Sequence, residues 1–395
     1  MRILIIHQVP YRKMDYHLGI DHNCHDVTYA GYPQRMADLP GELRCRRIEL
    51  GGDDDLVEGI VARTSREDGF EKVLALSEFG MLESWRIRQH LGIAGPSLAQ
   101  IERVRDKVIM KEALAGSGIR YPRFVPVPSV RGQLPWSGRT VVKPRKGASS
   151  EGVSVHRSAG EALIAYAKLP NQVDYQLEEY VEGDILHADG LVCDGVLVNL
   201  VVSKYVNKPI DFVDGRALGS YQLPRNARYH AFAARVVEVL EIEAGCLHLE
   251  FFETAGQELV FLEVANRMGG AGVVGAHARH CGIHLPSHEI SIRLGLRRPE
   301  PMRPSGRYHG WLVFSGHHLG ARGPHLISVP NNLRSHPCVD NFNILGPHEQ
   351  LPDHITYQEW LAPVFIEASH RDQMVLGEFF RECVDSISVE LRKAS

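Results

Sequence analysis

The stretch HLEFFETAGQELVFLEVANR (248–267) decides the architecture. It reads as a hairpin: a strand from His248 to Phe252, a turn at Thr254-Ala255-Gly256-Gln257, and a return strand from Leu259 to Ala265. Glu250 and Glu263 interrupt the two apolar runs, beside Phe251 on one strand and Leu262 on the other. A half-buried carboxylate on each of two paired strands is costly unless something compensates it. Mg²⁺ suits that task, because it binds through one or two carboxylates together with phosphate oxygens. The plainer alternative leaves one of the two glutamates on the solvent face.

Three upstream segments share this polar chemistry. Arg105-Asp106-Lys107 lies within a helix expected over 101–115, stopped by Gly116-Ser117-Gly118. VVKPRKGASSEGV (141–153) is a strand ending in Lys143 that opens into a Gly/Ser loop. Its lysine is a point charge suited to phosphate oxygens, and Gly147, Ser149, Ser150 and Gly152 allow backbone N–H groups to close over an anion. The order G-x-x-x-x-G-K-[ST] is missing, so this is no P-loop. YQLEEYVEGD (175–184) is a strand whose alternation sends Glu178 and Glu179 to opposite faces. Alone, the second of these also fits an ordinary surface hairpin and the third a solvated strand end.

Around these segments the first hundred residues alternate strand and helix. Ile3 to Ile6 and Glu71 to Leu76 read as strands, and Glu83 to Leu91 as a helix ending at Gly92. The pattern predicts an open α/β layer with a parallel sheet, and no G-x-G-x-x-G follows the first strand. A Pro-rich connector, Pro122 to Pro135, leads into the strand at 140–143. Further helices are expected over 229–240 and 276–294. Beyond Pro299 the composition turns to Gly, Pro, His and short apolar runs, read as a mostly β appendage closed by a helix over 371–391.

In this order, and over about Leu74 to Gly272, the segments resemble the ATP-grasp superfamily, specifically its carboxylate–amine ligases. The resemblance implies an α/β (α+β) protein of the ATP-grasp fold. A Rossmann-like domain would occupy 1–100 and the nucleotide-binding domain 101–300, with a small lobe to about 178 and a large lobe from about 179. A mostly β extension, 301–395, would shape the acceptor site. ATP and Mg²⁺ are the cofactors implied, with two ions and Mn²⁺ able to substitute. Carried over, Lys107 and Lys143 meet the ATP phosphates, and Gly147, Ser149, Ser150 and Gly152 fold over them. Glu179, Tyr180 and Val181 form the adenine hinge, and Asp184 stands at the ribose. Glu250, Glu263 and Asn266 hold the metal, while Arg267, Lys143 and Lys204 are the catalytic set. One departure stands out: the superfamily often has Asn two residues after the second metal Glu, whereas here Ala265 is there and Asn266 follows.

The implied reaction converts a carboxylate to an acyl phosphate, releasing ADP, and passes the acyl group to an amine. The implied partners are therefore a small-molecule carboxylate and amine. Alternatives on the same fold are loading of an amino acid onto a carrier protein, activation of bicarbonate, and a non-catalytic ATP-binding regulatory module. Homodimerisation is common in the superfamily.

Bulk properties exclude several other classes. A formal net charge of −4, with basic residues grouped only in short pairs such as Arg297-Arg298, gives no reason to expect nucleic acid or an anionic membrane. No window reaches the length of a membrane helix, and Met1 to Ile6 enters a strand rather than a signal peptide. Seven scattered cysteines without a C-x-x-C pair predict reduced thiols and a cytoplasmic location. The loop from Asp21 to Asp26 contains metal-capable side chains but no established ligand spacing. His277, His280, His284 and His288 recur near helical period, interrupted by Gly282 and Pro286, and read mainly as polar packing. His187 and Asp189 share one strand face, and Gly269 to Gly272 can bring N–H groups to an anion.

Overall fold

A computed structural model describes residues 1–126, 133–296, 300–320, 325–346 and 349–391. Arg297-Arg298 and residues 127–132 of the Pro-rich connector lie outside the described residues.

The N-terminal layer is the parallel sheet its sequence predicts. Strands β1 (Arg2–Ile6), β2 (Asp26–Gly31), β3 (Arg46–Glu49) and β4 (Lys72–Leu74) lie in the order β3-β2-β1-β4. β1 is a continuous apolar run because both of its faces are covered. Ile3 and Ile5 join Tyr16 and Tyr29 on one side, and Leu4 and Ile6 join Ile60 and Ile87 on the other. The first of these cores also takes Ile290 and Leu294 from a helix almost three hundred residues away, Leu285–Leu294.

A second, smaller sheet is antiparallel. It contains β5 (Phe124–Pro126), β6 (Thr140–Pro144), β7 (Ser154–His156) and β8 (Tyr175–Glu179), in the order β5-β8-β6-β7. Its own core is built from Trp136, Val142, Leu177 and the helix Ala159–Tyr166.

The remaining strands are β9 (Asp184–Cys193), β10 (Val196–Tyr205), β11 (Leu218–Gln222), β12 (Gly245–Glu253), β13 (Leu259–Ala265), β14 (Tyr308–Phe314), β15 (His325–Ser328), β16 (Val339–Ile344), β17 (Val364–His370) and β18 (Ser388–Leu391). Eight of them form one antiparallel sheet, β13-β12-β9-β10-β11-β14-β17-β16, while β15 pairs with β18. The helix Ala227–Val239 packs its buried Ala233, Val236 and Val237 on Leu249, Phe251 and Phe261 of the sheet.

The structure corrects the reading of residues 301–395 as an appendage. β14 pairs directly with β11, Leu218 opposite Val313, so the C-terminal strands prolong the very sheet that carries Glu250 and Glu263. The change in composition near residue 300 marks connecting loops and not the end of a core. Helix boundaries differ as well. The expected helix over 101–115 is two, Leu98–Arg103 and Lys107–Leu114, because the Asp106 carboxylate accepts from Val108 N (3.0 Å) and Ile109 N (3.4 Å) and so starts a new helix. The stretch over 276–294 divides into Val273–Cys281 and Leu285–Leu294. The last helix spans only Gln373–Ser386, since the β-branched and apolar residues after it pair as β18.

Removing residues 301–395 would strip three strands from this sheet and expose the backbone edge of β11 with its apolar flank. The shortened chain is expected in the insoluble fraction, without cooperative melting. A soluble, cooperatively folding product would refute the single-sheet description.

Candidate active site

The β12–β13 pairing sets Glu250 directly opposite Glu263. Their side chains are 13% and 31% exposed, so both reach a cleft rather than bulk solvent. Like charges directly opposed across strands repel, and each carboxylate has its own compensation. Tyr205 donates its hydroxyl to Glu250 Oε1 at 2.6 Å, and Lys107 Nζ lies 3.3 Å from Glu263. The same ammonium donates to the carbonyl of Gly147 at 2.8 Å, linking the carboxylates to the Gly/Ser loop.

That loop has a backbone suited to an anion. Gly147, Ser149, Ser150 and Gly152 all have positive φ (108°, 65°, 55° and 70°), the backbone state in which successive N–H groups converge. Behind it, Lys143 at the end of β6 meets Glu178 of β8 at 2.9 Å, and the buried Lys111 holds the other oxygen of the same carboxylate. Burial alone would raise the Glu178 carboxyl, but the ammonium groups of Lys111 and Lys143 hold it below its ordinary value. Lys111 shares its only carboxylate with Lys143, so burial wins there and pulls it down to about 8. Lys143 is thus held by its ion pair at the cavity wall.

Glu179, Tyr180 and Val181 border this cavity, whose apolar walls include Val141, Val155, Ile185, Phe252 and Leu262. The carboxylate of Glu179 turns to Arg123 (2.5 Å) and Arg120 (3.5 Å), while the Val181 N–H has no hydrogen-bond partner among the described residues. The cavity combines these apolar walls with a polar end at Lys107, Lys143, Glu250 and Glu263. Asp184 and Lys204 are not brought to it. They pair with each other at 2.6 Å, more exposed, and border neither cavity. Alternation along β10 gives the inward position to Tyr205 instead.

Asn266 is likewise turned away. Its amide donates to the carbonyls of Ala244 (3.1 Å) and Cys246 (2.8 Å), so it fastens the end of β13 rather than facing the carboxylates. Arg267 does face the cleft, with Nε 3.0 Å from Glu78 and one terminal nitrogen on the carbonyl of Met268. Beyond it, Gly269 passes so close to Asp189 and His248 that a Cβ would lie 2.7 Å from the Asp189 carboxylate. Gly269, Gly270 and Ala271 border a second cavity of about 860 Å³ that adjoins the first and reaches the N-terminal layer.

His187 and Asp189 lie buried behind Glu250 and join His248, the one group of three metal-capable side chains that converges among the described residues. Asp189 accepts from His187 Nδ1 (2.5 Å) and His248 Nδ1 (2.8 Å), and His187 Nε2 meets Ser220 at 2.8 Å. These are hydrogen-bond separations, and the group is held together as a polar network. Burial would lower the His248 imidazole, but Asp189 and Glu250 raise it to about 10, leaving an imidazolium beside the carboxylate pair. The other histidines disperse: His277 is buried on Asn199 and the carbonyl of Ile283, His280 meets the carbonyl of Arg307, and His288 that of His284. The residues 21–26 form no cluster of three ligands.

No protein-family model matches the chain. An L-arginine-specific L-amino acid ligase of Bacillus subtilis is 27% identical over 241 residues, a match spanning 56% of this chain and 57% of that protein. The crystal structure of an L-amino acid ligase from Bacillus licheniformis superposes with a TM-score of 0.73 at 19% identity, covering 99% of both chains. The N5-carboxyaminoimidazole ribonucleotide synthetase of Thermotoga maritima gives 0.67 at 16%, again over 99% of both. The chain has the ATP-grasp fold. Biotin carboxylase of Campylobacter jejuni shares it more distantly, with a TM-score of 0.64 at 13% identity over 99% of this chain and 92% of that one. Within the ATP-grasp fold, β5 to β8 form the small sheet and the sheet carrying β9 to β13 its partner, with the carboxylate pair at their junction.

Sequence reasoning passed over Lys111, Tyr205, His248 and Glu78. Lys111 was within reach, since it follows Lys107 by one helical turn. Tyr205 and Glu78 come to the site by strand pairing or packing between distant segments, which leaves no local signal, whereas His248 lies two residues before Glu250 on the same strand and was open to its alternation.

Glu178→Gln would strand two buried ammonium groups and is expected to lower stability by about 3 kcal/mol at pH 7. Lys111, with its folded value near 8 below the roughly 10.4 of an unfolded lysine, penalises folding while charged; the penalty fades as pH rises through that window. Urea unfolding of parent and variant should therefore show the deficit shrinking between pH 7 and pH 10. An equal deficit at both would contradict the assignment.

Proposed function

We propose that this chain is an ADP-forming carboxylate–amine ligase that joins small molecules, amino acids foremost, through an acyl phosphate. The observation that carries the reading is the opposed pair Glu250 and Glu263, flanked by Lys107 and Arg267, at the junction of an apolar-walled cavity and a larger polar one. An all-oxygen donor pair with an ammonium group already drawn to it fits Mg²⁺. Glu250 and Glu263 would hold that metal, two ions by the resemblance and Mn²⁺ by substitution, and its charge would offset that of the phosphates.

The residues divide the work. Lys143, braced by Glu178, and Lys107 neutralise the phosphate chain, and the N–H groups of 147–152 fix it. Backbone at 179–181 takes the base edge. Tyr205 and the His187–Asp189–His248 network hold Glu250 in one orientation. Arg267 faces the site where the substrate carboxylate attacks the γ-phosphorus. The acyl–oxygen bond to phosphorus forms as the bond to ADP breaks; the amine then displaces phosphate at the acyl carbon and loses a proton. Ordering of mutually repelling anions is the main task, and fixed cations suit it. No helix among the described residues is long and apolar enough to cross a membrane.

ADP release with Mg-ATP across a matrix of amino acids, with mass spectrometry of the products, tests the reading. ADP formed only with a carboxylate–amine pair, and a product one water lighter than their sum, is the expected result. Release with bicarbonate alone, or only with an added carrier protein, would assign the alternatives, and ATP binding without turnover a regulatory role. Glu263→Gln is expected to reduce ADP release at least ~100-fold while the chain still binds nucleotide; undiminished turnover would remove the pair from the chemistry.

A further inference from the structure

The parallel sheet order β3-β2-β1-β4 reverses its direction of winding at β1. Connections leaving the carboxyl ends of β1 and β4 therefore part from one another, and such a parting is where open α/β sheets leave a crevice for a ligand. Here the crevice is the N-terminal end of the 860 Å³ cavity. Gln8 and Val9 border it after β1, and Ser77 and Glu78 after β4. It opens toward Arg267 and Glu263 of the large sheet. Ser77 donates to Gln8 Oε1 at 2.7 Å and accepts from Gly80 N at 2.8 Å, fixing the two loops against each other. Glu78 is held by this arrangement with its side chain only 11% exposed.

Glu78 contributes one carboxylate oxygen to Arg267 Nε at 3.0 Å. Its other oxygen has no partner among the described residues, nor has the second terminal nitrogen of Arg267. The cavity thus presents an anion and a cation side by side, each with an unused edge. In an α-amino acid a carboxylate and an ammonium group are carried on one carbon. We propose that Glu78 is a specificity-determining residue, and that with Arg267 it forms the subsite for the α-amino acid whose carboxylate is activated. The substrate carboxylate takes the free edge of Arg267, and its ammonium group takes the free oxygen of Glu78. This inference rests on the ligase reading, since it places the substrate carboxylate on the arginine facing the transferred phosphate.

The pairing also excludes. A carboxylic acid lacking the amino group meets the Glu78 charge with no cation of its own, and competes with Glu78 for the arginine. Repulsion from a fixed like charge in a half-buried site then discriminates against it. Glu78→Gln should abolish that discrimination from both sides.

Calorimetric titration of the full chain, saturated with Mg²⁺ and a non-hydrolysable ATP analogue, tests this with alanine against propionate, valine against isovalerate, and phenylalanine against hydrocinnamate. The parent is expected to bind at least one amino acid in preference to its des-amino partner. Glu78→Gln should weaken the amino acid by roughly 10- to 100-fold and leave the des-amino acid unchanged or tighter, while Glu78→Asp, which keeps the charge, retains the preference. A glutamate that merely props Arg267 would, when replaced, weaken both ligands together, and that outcome overturns the proposal. So does a parent that binds neither, or that does not prefer the amino acid. Preference dependent on Glu78 without ADP release in the turnover assay would instead retain the subsite and reject the ligase.

Discussion

Two carboxylates set opposite each other on paired strands are an electrostatic liability, and much of this molecule is arranged around it. Glu250 and Glu263 are kept in register by the β12–β13 ladder and cannot separate without breaking the sheet. Tyr205 reaches one of them from β10, Lys107 reaches the other from the first turn of a helix, and His248 stands behind as an imidazolium. The sheet supplies repulsion, and groups from two other places in the chain, with His248 of β12 itself, supply the balance. Such a site stays ready for a cation, because the cost of bringing the anions together is met during folding and not during binding.

A similar logic governs the small lobe. Burial makes a lone ammonium group costly, and Lys143 at the cavity wall has Glu178 as its counter-ion, with Lys111 on the other oxygen of that carboxylate. The row Lys111, Glu178, Lys143 sets two ammonium groups against one carboxylate, a formal surplus of one positive charge, beside the cavity where phosphate is expected. Placement of this charge, more than its amount, distinguishes the site from the overall acidic surface.

Much of this was legible in the sequence where chemistry and local pattern coincide. The hairpin at 248–267 declares itself because both glutamates interrupt apolar runs on either side of an obvious turn. The loop at 147–152 does so through its glycines and serines. Legibility fails where a residue's meaning depends on a partner far along the chain. Asn266 stands one place from a metal-strand position, and only its bonds to Ala244 and Cys246 show that it fastens a strand end. Lys204 and Tyr205 are adjacent, and periodicity alone cannot say which faces the carboxylates. The strands after residue 300 look like a separate module, because antiparallel pairing with β11 has no counterpart in local composition.

The core beneath the N-terminal sheet has a mechanical consequence. Ile290 and Leu294 belong to it although their helix also lies against β9 and β12 of the large sheet, so one helix ties the two layers together. The small sheet, by contrast, keeps Trp136, Val142 and Leu177 to itself, and its loop meets Lys107 and Tyr357 through hydrogen bonds. The Glu78–Arg267 side of the cleft is therefore braced through that helix by two layers, whereas the wall made by the small sheet rests on its own core.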